Sequence, residues 1–233
     1  MIGFERNSLH LYWTDIGDEG GLAYERCWQV LSPSEKARAE RFHFDIHRNR
    51  FVRANGQLRA ILSGYLGIPA GEIELSAAAR GKPFIEGAGI RFNMSHSSDI
   101  AVYAVSMEEV GVDVELFDRD VEIEDLARHY YTEAEQEVLL NLADEREKQE
   151  LFFWLWTAKE ARMKVTGEGL ALDPRRIDVR IVAGRPHAYH KPETPATSLL
   201  PVEINGLGGA CCVAGLSVPP VLEIRALGDL MMR

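Results

Sequence analysis

Only three of the 233 residues are cysteine, and Cys27, Cys211 and Cys212 form no C-x-x-C pair. That scarcity excludes a disulfide framework and leaves a zinc site short of soft ligands, so any metal is expected on oxygen. The cysteines read as core packing in a reducing compartment. No stretch reaches the roughly 18 to 20 apolar residues of a membrane span, and Glu5 and Arg6 interrupt the run that a signal peptide needs. The expected setting is therefore cytoplasmic and soluble, with no membrane partner. Two catalytic loops are also missing. Without G-x-x-x-x-G-K-[ST] there is no P-loop phosphate cradle, and without G-x-S-x-G around Ser95 or Ser97 there is no nucleophile elbow.

What is present is 46% hydrophobic and 27% charged, enough to bury a core in one large domain or two small lobes. The net charge of −10 argues against a nucleic-acid binder, which needs a basic face. Its distribution is uneven. From Ser34 to Arg59 seven Lys or Arg face three acids, and from Glu108 to Glu150 sixteen acids face four bases. Such a split suits separate sites for an anion and for a cation, although solvated helix faces would give the same count.

Along the chain, Leu9 to Trp13 is apolar, Gly20 to Leu31 has helical spacing, and Ser32-Pro33 opens a further helix with proline at its first turn. Phe51, Ala54, Leu58, Ile61, Leu62 and Tyr65 predict a helix over 47–66 that Gly67 and Pro69 end. Short strands are expected at 73–75, 84–85, 90–94, 100–105 and 110–115, helices at 122–131, 132–142 and 146–165, and strands at 177–183, 199–204, 210–215 and 222–226. Thr132 with Glu135 fits a capping box. Strand, helices, strands thus occurs twice, which predicts an α+β chain of two similar lobes meeting near residue 108.

Two patterns carry charge at regular spacing. In Val110-Gly111-Val112-Asp113-Val114-Glu115 a strand puts both acids on one face, about 7 Å apart, with Val112 and Val114 turned to the core. Such a pair supplies carboxylates for Mg²⁺, or is simply a solvated edge. In Phe152 to Lys164, Glu160 and Lys164 lie one helical turn apart amid Phe153, Trp154, Trp156 and Met163. This is a surface ion pair or a partly desolvated base and phosphate ligand. Lys159 is expected to point elsewhere, toward solvent. Arg80-Gly81-Lys82-Pro83 is a turn, and Phe92-Asn93-Met94-Ser95-His96-Ser97 follows a short strand as a loop able to donate to an anion.

Taken in order, RGKPFI, FNMSHS, GVDVE and WTAKEARMK resemble the 4′-phosphopantetheinyl transferase superfamily, specifically its two-lobed surfactin-synthetase-activating type, and the likeness spans essentially the whole chain. The resemblance implies two similar lobes in pseudo-twofold arrangement. Residues 1–108 would carry coenzyme A nucleotide contacts, residues 109–233 the metal and catalytic residues, with the site in the cleft between them. It implies Mg²⁺ on Asp113, Glu115 and Glu160, Lys164 beside the phosphates, and Lys82, Pro83, Asn93, Ser95 and His96 along the nucleotide. Arg48 and Arg50, or Arg38, would meet the 3′-phosphate. The implied reaction moves the phosphopantetheine arm of coenzyme A to a serine of an apo carrier protein and releases 3′,5′-ADP. Glu160 or a metal-bound water acts as base, Glu135 is an alternative base, and Lys164 and His96 assist. A surface around Phe152, Phe153 and Met163, or exposed residues in the cleft between the lobes, is a candidate carrier dock, and the two-lobed type implies a monomer. The competing reading is a catalytically silent coenzyme A or nucleotide-binding module of the same fold.

Overall fold

The computed structural model describes residues 2, 8–17, 24–190, 196–204, 206–216 and 221–226. Residues 20–23 of the expected 20–31 helix lie outside these. The chain is mixed α and β, with six α-helices among the described residues, and forms two compact units. One draws on Met1–Ser76, Pro83–Met107 and Val221–Arg233, the other on Ala77–Lys82 and Glu108–Pro220. None of the helices described is long and apolar enough to cross a membrane.

In the first unit β1 (Ser8–Asp15) is followed by α1 (Tyr24–Val30), α2 (Pro33–Ala39) and α3 (Asp45–Leu66). Two short strands, β2 (Ser76–Ala77) and β3 (Pro83–Phe84), precede the hairpin of β4 (Arg91–Ser97) and β5 (Ile100–Ser106). The sheet order is β11-β1-β5-β4, where β11 (Val221–Ala226) runs parallel to β1 and the other pairings are antiparallel. Among the described residues the last strand is therefore paired with the first. The apolar stripe of α3, Ala54, Leu58, Ile61, Leu62 and Tyr65, is buried in one cluster with Ala101, Tyr103 and Val105 of β5, which is what its three-and-four spacing requires. The helix starts two residues before the expected 47 and ends where Gly67 takes a left-handed φ of 67°. Ile2, at the start of the chain, donates its N–H to Gly64 O (2.7 Å), and a Cβ on Gly64 would fall 2.8 Å from the Ile2 side chain.

One expected strand is absent. Residues 73–75 are irregular, and Arg59 takes the carbonyl of the first of them: its guanidinium donates to Ile73 O (2.9 Å), to Ala70 O just before the segment (3.1 Å) and to Glu35 (2.8 Å). Glu35 in turn closes a capping box with Ser32 at the start of α2.

The second unit contains β6 (Val110–Leu116), α4 (Ile123–Tyr130), α5 (Glu133–Leu140), α6 (Glu145–Thr166) and the strands β7 (Val179–Val182), β8 (Arg185–Tyr189), β9 (Ser198–Val202) and β10 (Gly209–Gly215). Its sheet is antiparallel in the order β6-β10-β9, and β7 pairs with β8 through a tight turn at Ala183 and Gly184, both at positive φ. The periodicity reading missed β8, whose proline, arginine and histidine give little strand signal. The ion-pair device of the first unit recurs at a constant offset of 100 residues. Thr132 and Glu135 form the capping box, Lys159 stands where Arg59 stood, and Gly167 ends α6 at φ 69°.

All three cysteines are fully buried thiols. Burial pushes the Cys27 thiol from 9.0 up to about 11 against the pull of Arg53. Burial likewise pushes Cys212 up to about 12, although Thr157 donates a hydrogen bond to its sulfur. A thiol raised in the folded state stabilises the fold fully below the unfolded value and loses that contribution as pH climbs toward the folded one. Native protein should therefore show no thiol reactive toward an aromatic disulfide reagent below pH 9 and three after denaturation. Its unfolding midpoint should fall between pH 9 and 11. One rapidly titrating native thiol at pH 8 would contradict this.

Candidate active site

The site strand β6 is covered on the face of its odd-numbered residues by α6, and Gly111 makes the approach possible. A Cβ there would fall 2.1 Å from Ala161 O and 2.7 Å from Val165 N, so only glycine lets the helix backbone lie against the strand. Asp113 and Glu115 follow at two-residue intervals and so face the helix, while Val112 and Val114 are fully buried on the reverse. On α6 the residues Trp156, Glu160 and Lys164 fall four apart and share one stripe. Half-buried Trp156 meets the Tyr130 ring edge-on at 5.1 Å, which gives the stripe an aromatic end. Tyr130 was not among the residues the sequence singled out.

The two patterns found separately in the sequence meet here. Lys164 Nζ lies 2.6 Å from Asp113 Oδ1, and Asp113 is only 4% exposed. Glu160 has its pKa raised, first by burial and then by the charges of Asp113 and Glu115, with Lys164 opposing. Glu115 is met by Arg119 at 2.9 Å. The acids are therefore not a solvated edge: Asp113 and Glu115 add to the burial that raises Glu160, and two protein cations, Lys164 and Arg119, offset them. Among the described residues no group of three His, Cys, Asp or Glu is gathered as a finished metal cage. The donor chemistry nevertheless fits a hard divalent cation, since carboxylate oxygen is what Mg²⁺ prefers and Glu160 carries a repulsion that added positive charge relieves.

The other expected site residues are placed differently. Lys82 Nζ donates to Glu109 (2.7 Å), to Val110 O (3.1 Å) and to Val165 O (2.7 Å). It thereby caps the carboxyl end of α6 and ties it to the start of the site strand. In the first unit Asn93, Ser95 and His96 lie on β4, not in a loop, with Asn93 buried, Ser95 half-buried and His96 exposed. The strand persists because all seven residues pair with β5, which outweighs the turn preference of Asn and Ser. Pro83 is half-buried on β3. Arg48 pairs with Asp45 (3.1 Å) and Arg50 with Asp99 (2.7 Å), while the Arg38 guanidinium lies over the Phe51 ring at 5.0 Å.

Two expectations fail. Lys159 does not face solvent: at 2% exposure it pairs with Glu135 (2.8 Å) and donates to Pro174 O (3.0 Å) and Ile177 O. Glu135, 1% exposed, also accepts from Thr132 N and Val179 N, both at 2.8 Å. Burial raises the Glu135 pKa and lowers that of Lys159, each opposed by the other's charge. This pair is a brace inside the unit, which removes Glu135 as a base. The second failure is the proposed dock: Phe152, Phe153 and Met163 are buried in the core of the second unit. The spacing of their helix was read without the strands and α4 and α5 that cover it. Exposed large apolar side chains include Phe44, Ile46, Val138 and Val182.

Known proteins resemble the chain over both halves. The model of the 4′-phosphopantetheinyl transferase superfamily matches residues 109–205, and that of the 4′-phosphopantetheinyl transferase N-terminal region matches residues 20–108. The 4′-phosphopantetheinyl transferase HetI of Nostoc sp. (strain PCC 7120) is 39% identical over 82% of this chain and 81% of its own length. Psf-1 of Bacillus pumilus is 33% identical over 63% of this chain and 62% of its own, and Sfp of Bacillus subtilis (strain 168) is 27% identical over 67% and 69%. With both halves matched in order and the acidic strand and Lys–Glu helix assembled into one site, the chain belongs to the 4′-phosphopantetheinyl transferase superfamily, whose enzymes pass the phosphopantetheine arm of coenzyme A to a carrier protein.

Proposed function

We propose that Asp113, Glu115 and Glu160 hold Mg²⁺ against the pyrophosphate of coenzyme A, and that Glu160 and Lys164 carry the proton and charge movements of the transfer. Mg²⁺, when bound, supplies neutralisation of charge on the pyrophosphate oxygens. The observation that carries the reading is the meeting of Lys164 with Asp113 at 2.6 Å beside a Glu160 whose pKa is raised by burial and by its acidic neighbours. Glu160 takes the proton of the carrier serine, and the serine oxygen bonds to the pantetheine-side phosphorus as the bond to the bridging oxygen breaks. 3′,5′-ADP leaves, and Lys164 meets the charge left on its phosphate and can donate a proton to it.

His96, Ser95, Asn93, Arg48 and Arg50 are assigned to the nucleotide and its 3′-phosphate; exposed His96 and the guanidinium of Arg50 are the donors best suited to an anion. Lys82 and Pro83 belong to the same assignment through the turn they form, since the Lys82 ammonium already serves three protein acceptors. We read the protein as a cytoplasmic monomer in which the plan of residues 32–67, repeated at 132–167, makes two similar lobes, the first for nucleotide and the second for chemistry.

The test is incubation with coenzyme A, Mg²⁺ and a panel of apo acyl and peptidyl carrier proteins, read by mass spectrometry. At least one carrier should gain one phosphopantetheine per chain, on its serine, and gain none when the metal is chelated. No modification of any carrier beside an active control enzyme would favour the silent coenzyme A-binding module.

A further inference from the structure

Arg119 lies just beyond the site strand, between Asp118 and Asp120, and the sequence gives no reason to single it out. In the fold it is held at three points. Its guanidinium reaches Glu115 Oε1 at 2.9 Å. The same group lies over the ring of buried Phe153, 5.3 Å from the centroid, and its backbone carbonyl accepts from Gln149 Nε2 at 2.9 Å. The ring contact and the backbone tether fix where the side chain starts and which way it points, so this pair is built rather than incidental. Glu115 is 15% exposed and Arg119 50%, so the acid is largely shielded while the cation keeps a solvent side toward which it can withdraw.

We propose that Arg119 is a tethered counter-cation for Glu115 which a divalent cation must displace, so that Arg119 sets the metal affinity of the site. The inference rests on the assignment of Glu115 as a metal ligand made above. Two cations cannot share one small carboxylate without mutual repulsion, and the metal therefore binds against both the Arg119 contact and its charge. In the absence of metal the same contact keeps Glu115 from adding its full charge to that of Asp113 and Glu160. Arg119 is thus a positioning residue, distinct from Lys164, which holds the other strand acid and is assigned to the reaction itself.

The experiment is calorimetric titration of MgCl₂ into the full chain with saturating coenzyme A and no carrier protein, so that no turnover contributes. Arg119→Gln should bind Mg²⁺ roughly fivefold more tightly than wild type, the scale expected for removing a partly exposed ion pair and its charge. Arg119→Lys, which keeps the charge but not the planar fork, should fall between the two. In a Glu115→Gln background the Arg119→Gln gain should vanish. Wild-type binding with an equal or weaker Arg119→Gln affinity overturns the counter-cation while leaving the metal site standing, and so does a gain that survives in Glu115→Gln. No Mg²⁺ binding by correctly folded wild type overturns the metal assignment and this inference together.

Discussion

Asp113→Asn should lower kcat by about a thousandfold at saturating coenzyme A and carrier, with the far-ultraviolet dichroism and unfolding midpoint close to wild type. Asparagine has the same shape, and its amide oxygen can still accept from Lys164 at the position where Asp113 Oδ1 does now. The β6–β10 register, in which residue 113 faces Cys212, needs only the backbone. What disappears is one negative charge. That charge is the best shielded of the site acids and one of the two that raise Glu160, so its loss removes a cation ligand and weakens cation binding at the site. The rate of pantetheinylation by mass spectrometry, measured at limiting and at saturating Mg²⁺, checks this. A variant with the wild-type rate at limiting Mg²⁺ would remove Asp113 from the site.

The opposite kind of loss is expected from Glu135→Ala, which should cost about 3–5 kcal/mol of stability, the usual price of leaving one member of a buried ion pair alone. Lys159 would keep its charge beside the Pro174 and Ile177 carbonyls and the Tyr131 ring but without its paired carboxylate, and the N–H groups of Thr132 and Val179 would lose their acceptor. Against a total of roughly 5–15 kcal/mol for a typical domain, a loss of that size is a large fraction. Urea unfolding followed by fluorescence measures it. The double variant Glu135→Leu with Lys159→Met should lose less than the sum of the two single losses, since the stranded charge is gone. Additive losses would mean that the two side chains do not act as a pair. If folded Glu135→Ala lost kcat as steeply as Asp113→Asn does, Glu135 would return as a candidate base.

These two residues also mark how far the sequence could be read. Asp113 and Glu115 were legible as one face of a strand because alternation has period two, and Glu160 with Lys164 because a helix brings residues four apart together. That the two faces meet was not legible from either period. The signal was Gly111, whose missing side chain admits the α6 backbone, and a lone glycine in a valine strand does not say which element approaches. Lys159 was misread for a related reason. Charge ordinarily means solvent, and nothing local announces a buried partner 24 residues upstream. Comparing Ser32, Glu35 and Arg59 with Thr132, Glu135 and Lys159 would have shown it, because a capping box followed at the same distance by a cation occurs twice. At the expected strand over 73–75 the same cation, in its first copy, takes the carbonyl of Ile73. Phe152, Phe153 and Met163 were offered as a surface because an isolated helix has no inside.

The repeated brace has a further consequence when the two long helices are compared position by position. Where α6 carries Glu160 and Lys164, α3 carries Ala60 and Gly64, and the bare backbone at Gly64 is stopped by Ile2. The first rod has thus been plugged at the level where the second is armed. Within α6 the neighbours Lys159 and Glu160 divide the same labour by turning about 100° from one another, one inward to hold the unit together and one toward the acids of β6. On the assignment proposed above, the residue that holds the fold and the residue that serves the chemistry are thus neighbours on one helix, and a change at 160 leaves the brace of Lys159 with Glu135 in place.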